Sequence, residues 1–425
     1  MPSNKKILII TYYWPPCGGA GVQRWLKFAK YLPEYGWEPI VLTVDPDYAQ
    51  YPAFDESLKK EINPSLKVHK TKALNYFRFG HGKKSEKVTA SFDIGGNGIK
   101  SRVARFLRGN FFIPDPRKGW NRYAVNMAAK IIAKEDIKYV VTTSPPHSTQ
   151  LIGLKLKFLF PEIKWISDLR DPWTDIYYYR KFYGTLPARL YDRKLERKVL
   201  QKADKIITVG QSLAELFASK LDDLDEKISV ITNGYDEEDF KGIGLSKKKD
   251  TKIITYVGTI STQYPVQTFL DSITQLYLSN NEQKYLVRFV GSINQEIKSK
   301  IENSPSKEIF EIIPYTDHAE SIRYMVESDI LLLIIPDHKH NKLIITGKLF
   351  EYLRAGKPII YIGPPNGDAA EIINDSKAGY IYEISDYQSI IDVCKEKKYK
   401  VENDDHVLKY SHKNIVSKLI LSLEE

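Results

Sequence analysis

Short runs rich in Ile, Val and Leu alternate along this chain with stretches that repeat apolar residues every three or four positions, and few folds accept that alternation. A run too short for a helix and apolar on both faces belongs inside a parallel sheet, with the helical stretches as crossovers above and below it. One series of such runs falls at 7–12, 39–44, 139–143, 165–168, 205–209 and 229–232. A second falls at 253–257, 285–290, 309–312, 330–335, 358–362 and 379–382. Between them, Val22, Trp25, Ala29 and Leu32 share one helical face, and a helix over 189–202 is basic outside and apolar at Leu195 and Val199. The class is therefore α/β, with two doubly wound parallel sheets in a chain of 425 residues, too long for a single core. The expected division is a first domain over 1–240, a linker at 241–252 in the lysine-rich KGIGLSKKKDT stretch, and a second domain over 253–404. A closing helix within 405–425 is expected to pack back across both domains.

Several classes fall away on composition. Two cysteines, Cys17 and Cys394, lie too far apart in sequence for a disulfide scaffold or a Cys-rich metal module and suit a reducing cytosol. No apolar run approaches the ~18 residues of a membrane span. Lys5-Lys6 followed by the run 7–14 resembles a secretory leader, but Pro15-Pro16 end it and no small-residue cleavage site follows, so a buried first strand is expected. The expected location is cytoplasmic, with any membrane contact peripheral, at the inner face.

Candidate chemistry gathers at strand ends. Cys17-Gly-Gly-Ala-Gly-Val-Gln-Arg24 joins the first strand to the first helix, where glycine lets backbone N–H groups approach a phosphate or sugar. It departs from a dinucleotide fingerprint, because Arg24 stands where the third glycine belongs. Asp45-Pro46-Asp47 reads as a turn in preference to a metal site, and His338 and His340 as loop histidines beside lysines. Asp168-Leu-Arg170-Asp171 closes a strand with two carboxylates and an arginine, and the strand before it ends in Thr142-Thr-Ser-Pro-Pro-His147. Thr346-Gly347-Lys348 opens a helix suited to a diphosphate, and Glu351 lies one turn on, where a carboxylate can accept both hydroxyls of a ribose. Gly356 then caps the helix and Pro358 begins a strand.

In this order, the glycine loop, the Asp-Leu-Arg-Asp strand end, Val230-Ile-Thr-Asn-Gly-Tyr-Asp236 and Lys348-Leu-Phe-Glu-Tyr-x3-Gly-Lys-Pro358 resemble glycosyltransferase family 4 over nearly the whole chain. The resemblance implies the GT-B fold, two Rossmann-like domains facing a cleft, and a retaining hexosyltransferase-type enzyme with no cofactor and no essential metal. Its donor is a nucleotide sugar, UDP- or GDP-linked, and its acceptor a glycan or lipid-linked glycan. Carried over by position, Asp171 and Arg170 are the catalytic pair. Gly19, Gly258, Thr259, Thr346, Gly347, Lys348 and Glu351 contact the donor, while Gly18, Gly21, Arg24, His147 and Asp168 line the acceptor or cleft side. Two positions depart from the family pattern. Leu343 replaces the first glutamate of the Glu-x7-Glu motif, and the stretch 259–264 lacks the usual Arg and Lys clamp, for which Lys348 is the expected substitute.

The net charge of +10 is concentrated. Residues 78–122 hold eleven basic side chains against three acidic ones, +8 in all. Within this window Arg102, Arg105 and Arg108 interleave with Val103, Phe106 and Leu107, a mix that suits a helix lying on an anionic membrane. No nucleic-acid-binding module accompanies it. Two other functions stay open on the sequence: a GT-B nucleotide-sugar epimerase, and a non-catalytic binder of nucleotide sugars or polyanions.

Overall fold

Seven parallel strands build the first unit: β1 (Lys5–Ile10), β2 (Trp37–Val44), β3 (Lys67–Thr71), β4 (Tyr139–Ser144), β5 (Lys164–Leu169), β6 (Lys205–Thr208) and β7 (Ile228–Val230). The computed structural model describes residues 5–76, 98–244, 250–279, 283–396 and 405–424. Spatial order is β3-β2-β1-β4-β5-β6-β7, so the chain reverses its direction of winding between β1 and β4. The register pairs Ile7 with Tyr139 and Ile10 with Thr142, which sets the end of β1 beside β4. At such a reversal the loops from neighbouring strand ends part, and ligands enter there. β3 is an edge strand, Lys-Val-His-Lys-Thr, buried only at its final threonine. It carries no apolar run, so periodicity does not reveal it.

Six parallel strands build the second unit: β8 (Thr251–Val257), β9 (Lys284–Val290), β10 (Phe310–Ile313), β11 (Ile330–Ile334), β12 (Ile359–Ile362) and β13 (Gly379–Tyr382). Their order is β10-β9-β8-β11-β12-β13, with the reversal at β8 and β11. Alternate residues feed opposite layers. Ile254, Leu332, Ile334 and Ile360 pack with Phe269, Ile273 and Ile390 on one side. Leu331, Leu333, Ile359 and Tyr361 pack with Leu349, Leu353 and Ile373 on the other. Both faces are thus covered by helices, which is why the strands read as continuous apolar runs.

The first unit ends at Thr232 and takes the chain back from Val416 onward, while the second runs from Asn233 to Ile415. The division therefore falls ahead of the 241–252 stretch, of which 245–249 lie outside the described residues. The closing segment is two helices, Asp405–Leu408 and His412–Glu424. In the first unit its end is tied down by Lys164 Nζ, which donates to Leu423 O at 2.7 Å, and by the Lys5–Glu424 ion pair at 2.5 Å. Among the described residues no helix is long and apolar enough to cross a membrane.

Candidate functional site

In the second unit the site residues converge through three strand and helix ends. Gly258 follows β8 with φ +128° and Gly291 follows β9 with φ +126°, both in the region that favours glycine. A Cβ on Gly291 would lie 2.3 Å from the carbonyl oxygen of Gly258, so the two strand ends touch backbone to backbone. The Gly258 N–H donates to Val290 O at 2.8 Å and holds that contact. With no side chain on Gly258, Lys348 Nζ comes within 3.3 Å of where its Cβ would stand. Lys348 is the second residue of the helix Gly347–Ala355, which starts after Thr346 and is closed by Gly356 in the left-handed conformation (φ 66°). Its ammonium sits 3.6 Å from the centroid of the Tyr256 ring. Burial pushes its pKa down to about 7, against the pull of Glu351.

Glu351 is mostly buried, and its Oε1 lies 3.8 Å from His318 Nε2, which itself is 3.1 Å from Asp239 Oδ2. Thr346 Oγ1 is buried with no hydrogen-bond partner. The first amides of a helix lack intrahelical acceptors, so a diphosphate at this end would meet N–H groups, a lysine and a glycine floor together. Gly258, Thr346, Gly347, Lys348 and Glu351 are therefore neighbours in one unit. Thr259 is placed beside them by Tyr256 Oη, which donates to its carbonyl at 3.0 Å.

The first unit holds a cavity of about 400 Å³ beyond the ends of β1, β4 and β5. Tyr13, Phe112, Trp173, Tyr177, Tyr178 and Phe182 give it an aromatic wall, and Arg108, Arg117, Asp115, His147, Asp171 and Asp192 supply its polar groups. His147 stacks on Trp173 with ring centroids 5.0 Å apart and planes 11° from parallel. Burial lowers its pKa to about 4, so it is a neutral imidazole at pH 7. Asp192 accepts from Trp173 Nε1 and Tyr179 Oη, each at 2.8 Å, and burial lifts it to about 6. Asp171 is raised by burial, with Arg170 opposing. Aromatic faces with paired polar groups suit a sugar ring, whose C–H faces stack while its hydroxyls bond at the edge.

Of the residues read from sequence as catalytic or cleft-lining, Asp171 and His147 line this cavity, and three others have structural work. Asp168 is fully buried; it accepts from Trp25 Nε1 at 2.7 Å, Thr143 Oγ1 at 2.6 Å and Arg24 Nε at 3.2 Å. Arg24, 2% exposed, also donates to Thr232 O at 2.8 Å, so this pair locks the first helix to the sheet. Arg170 donates to Ser144 O at 2.9 Å and Gly21 O at 3.1 Å and positions the strand-end loops. Gly18 and Gly19 shape the loop, through a Gly18 N–H bond to Ala53 O at 2.9 Å and a left-handed Gly19 (φ 91°) at the helix cap. A Cβ on Gly21 would meet the Tyr13 ring at 3.1 Å. Asp45 accepts from the Asp47 N–H at 3.0 Å, a turn as expected.

Sequence reasoning missed Tyr178, Asp192, Arg117 and His318. The aromatic density of Asp175-Ile-Tyr-Tyr-Tyr-Arg-Lys-Phe-Tyr183 was the available signal for the first. The basic window also needs correction. Arg105 is 6% exposed and lies over the Tyr183 ring, and Arg108 donates to Phe112 O and Pro114 O beneath the Phe182 ring. Aromatic rings behind the helix draw both arginines inward, so neither is available to a membrane. Arg78, Lys83, Lys84 and Lys87 lie outside the described residues.

Known structures of similar architecture cover nearly the whole chain. A glycosyltransferase from Rickettsia africae is similar at 15% identity and TM-score 0.62, over 99% of this chain and 98% of that one. TarM from S. aureus, in a complex with UDP among other ligands, is similar at 12% identity and TM-score 0.58, over 99% and 100%. A putative UDP-N-acetylglucosamine 2-epimerase from Listeria monocytogenes is similar at 12% identity and TM-score 0.52, over 100% and 96%. These likenesses establish GT-B architecture, which transferases and epimerases share. No curated protein matches the chain in sequence. The model of Glycosyltransferase Family 4 matches residues 18–239, which run from the glycine loop through the aromatic cavity and past the last strand of the first sheet. On that match, over half its length, the chain belongs to glycosyltransferase family 4.

Proposed function

We infer that this transferase moves a sugar from a nucleoside-diphosphate donor to a hydroxyl of a glycan, with retention at the anomeric carbon. The observation that carries the donor assignment is the grouping of Lys348, the helix start at Gly347, the Gly258–Gly291 floor and Glu351 within one unit. Breaking the anomeric bond leaves negative charge on the diphosphate, and on this reading Lys348 with the helix amides meets it. That lysine supplies the charge the missing clamp would have given, so activity is expected to depend weakly on divalent ions. Glu351, with His318 behind it, suits the two hydroxyls of a ribose. UDP in the TarM complex favours a uridine donor, with GDP as the alternative. In the first unit the aromatic cavity suits the acceptor, and on this reading Asp171 takes the proton of the attacking hydroxyl. A carboxyl raised by burial is a stronger base than an ordinary one.

Calorimetry with UDP and GDP tests the donor half. Glu351→Gln removes the charge from two hydrogen bonds to the ribose, worth roughly 2–4 kcal/mol, so affinity should fall ~30-fold or more. Unchanged affinity in a folded variant overturns the assignment. Incubation with a panel of nucleotide sugars separates the functions: free nucleotide marks a transferase, and an isomerised sugar still on its nucleotide marks the epimerase.

A further inference from the structure

Three segments of the second unit meet at the Glu351 carboxylate. His318 opens the helix His318–Glu327, whose first turn is fixed by Asp317, its Oδ1 accepting from the Glu320 N–H at 2.8 Å. Ile322 and Met325 of that helix share a core layer with Leu349 and Leu353, so it lies against the helix Gly347–Ala355. Asp239 belongs to the short turn Glu237–Phe240, capped by Asp236, whose Oδ1 accepts from the Glu238 N–H at 3.1 Å. Arg354, on the same helix as Glu351, ties that turn down. Its Nε donates to Glu237 Oε2 at 2.7 Å, and its guanidinium lies 5.2 Å from the centroid of the Phe240 ring. The side chains of Asp239, His318 and Glu351 are between 16% and 18% exposed.

One nitrogen serves both carboxylates: His318 Nε2 is 3.1 Å from Asp239 Oδ2 and 3.8 Å from Glu351 Oε1. A ring nitrogen carries a single proton, and only the shorter separation is a hydrogen bond. The partners therefore assign the Nε2–H to Asp239. Glu351 meets the positive edge of the ring without giving up a lone pair to it. That edge also offsets the repulsion between two carboxylates facing one nitrogen. We propose that His318 and Asp239 are positioning residues for the nucleotide's ribose. Asp239 turns the ring, and the ring holds the Glu351 carboxylate in the orientation that accepts from the 2′ and 3′ hydroxyls. This rests on the ribose reading of Glu351 and deepens it, from one carboxylate to a three-residue array that selects ribonucleotides over deoxyribonucleotides. A pair that only stapled the turn to the helix would change stability; a positioning pair changes that selection.

Calorimetry of the full chain with UDP and 2′,3′-dideoxy-UDP, or with the guanosine pair where GDP binds more tightly, reads the ribose contribution as a ratio of affinities. The parent should prefer the ribonucleotide ~30-fold or more, because the dideoxy ligand leaves a desolvated carboxylate unmet. Glu351→Gln should remove most of that preference. His318→Ala and Asp239→Ala should each lower the ratio about tenfold, with affinity for the dideoxy ligand little changed. The near-isosteric Asp239→Asn keeps an acceptor for the Nε2–H and carries the test where an alanine variant does not fold. Its ratio should fall about threefold, and an unchanged ratio counts against the proposal. Adding His318→Ala to Glu351→Gln should lower the ratio no further than Glu351→Gln alone, since the ring acts through that carboxylate. Urea unfolding of each variant reports stapling separately. The parent ratio surviving in folded His318→Ala and Asp239→Ala, while Glu351→Gln loses it, overturns the proposal and leaves the ribose reading standing. A changed preference between UDP and GDP at an unchanged ribose ratio overturns it too, by placing the ring against the base. A parent that binds both members of a pair equally removes the ribose reading itself, and the proposal with it.

Discussion

Lys348 is asked to be two things: a buried group of the folded chain and, on the proposed reading, a cation beside a diphosphate. Burial holds its pKa at about 7, far below the ordinary lysine value, because the ammonium has a ring face and one carboxylate nearby in place of water. Folding therefore costs the chain a proton between about pH 7 and pH 10.5, and the ligand-free fold gains stability as pH rises through that window. On the proposed reading, donor binding runs the other way. A diphosphate favours the ammonium, so above about pH 7 binding must take up the proton that burial removed. UDP affinity should fall as pH rises above about 7, by up to tenfold per unit, and level off below it. Calorimetry across this range, in buffers of different ionisation enthalpy, reads both the affinity and the proton uptake. Lys348→Met should bind UDP weakly with a flat profile; the parent slope surviving in that variant would assign the titration to another group.

At the scale of elements, the loops proposed to hold the donor depend on two strand ends meeting without side chains between them. Gly291→Ala adds a Cβ 2.3 Å from Gly258 O at a backbone angle that L residues avoid. About 1–3 kcal/mol of strain follows, and the shift displaces the floor under Lys348. We expect this variant to lose stability in urea and most of its UDP affinity, whereas Gly36→Ala, also at positive φ but with open space around it, loses only stability. Undiminished UDP binding by Gly291→Ala would show that the floor plays no part in the site. Much of this element was legible beforehand: the helix start at Thr346-Gly347, its stop at Gly356 and the side shared by Lys348 and Glu351 all follow from local rules. Twelve of the thirteen strands among the described residues were legible too, because strands buried on both faces leave apolar runs; β3, polar and at the edge, leaves none. The aromatic cavity was not legible, since it joins Tyr13, Phe112, His147 and Tyr178 from four separate segments, and no local rule relates them. Nor were the true roles of Asp168 and Arg24. Charge at a strand end looks the same in sequence whether it faces a ligand or, as here, a buried partner.

At the scale of the whole molecule, the two units differ in a way that makes them separately observable. All six tryptophans, Trp14, Trp25, Trp37, Trp120, Trp165 and Trp173, belong to the first unit, and each is at most 2% exposed. Tryptophan fluorescence thus reports the melting of that unit alone, while far-UV circular dichroism reports both. Each unit has a sheet covered on both faces, and the second has core layers of its own on either side, so each satisfies the usual requirement for independent folding. A ligand stabilises only the unit that binds it, by about 2.7 kcal/mol at a hundred times its dissociation constant. For a unit of roughly 150–250 residues this amounts to about 5–10 °C. UDP held by Lys348, Glu351 and the glycine floor should therefore raise the transition seen by circular dichroism and leave the fluorescence transition close to its starting temperature. In Lys348→Met the dichroism shift should vanish at the same UDP concentration. A UDP-induced shift confined to fluorescence would place the nucleotide in the first unit and remove the donor assignment; equal shifts in both signals would mean that the units melt as one cooperative body.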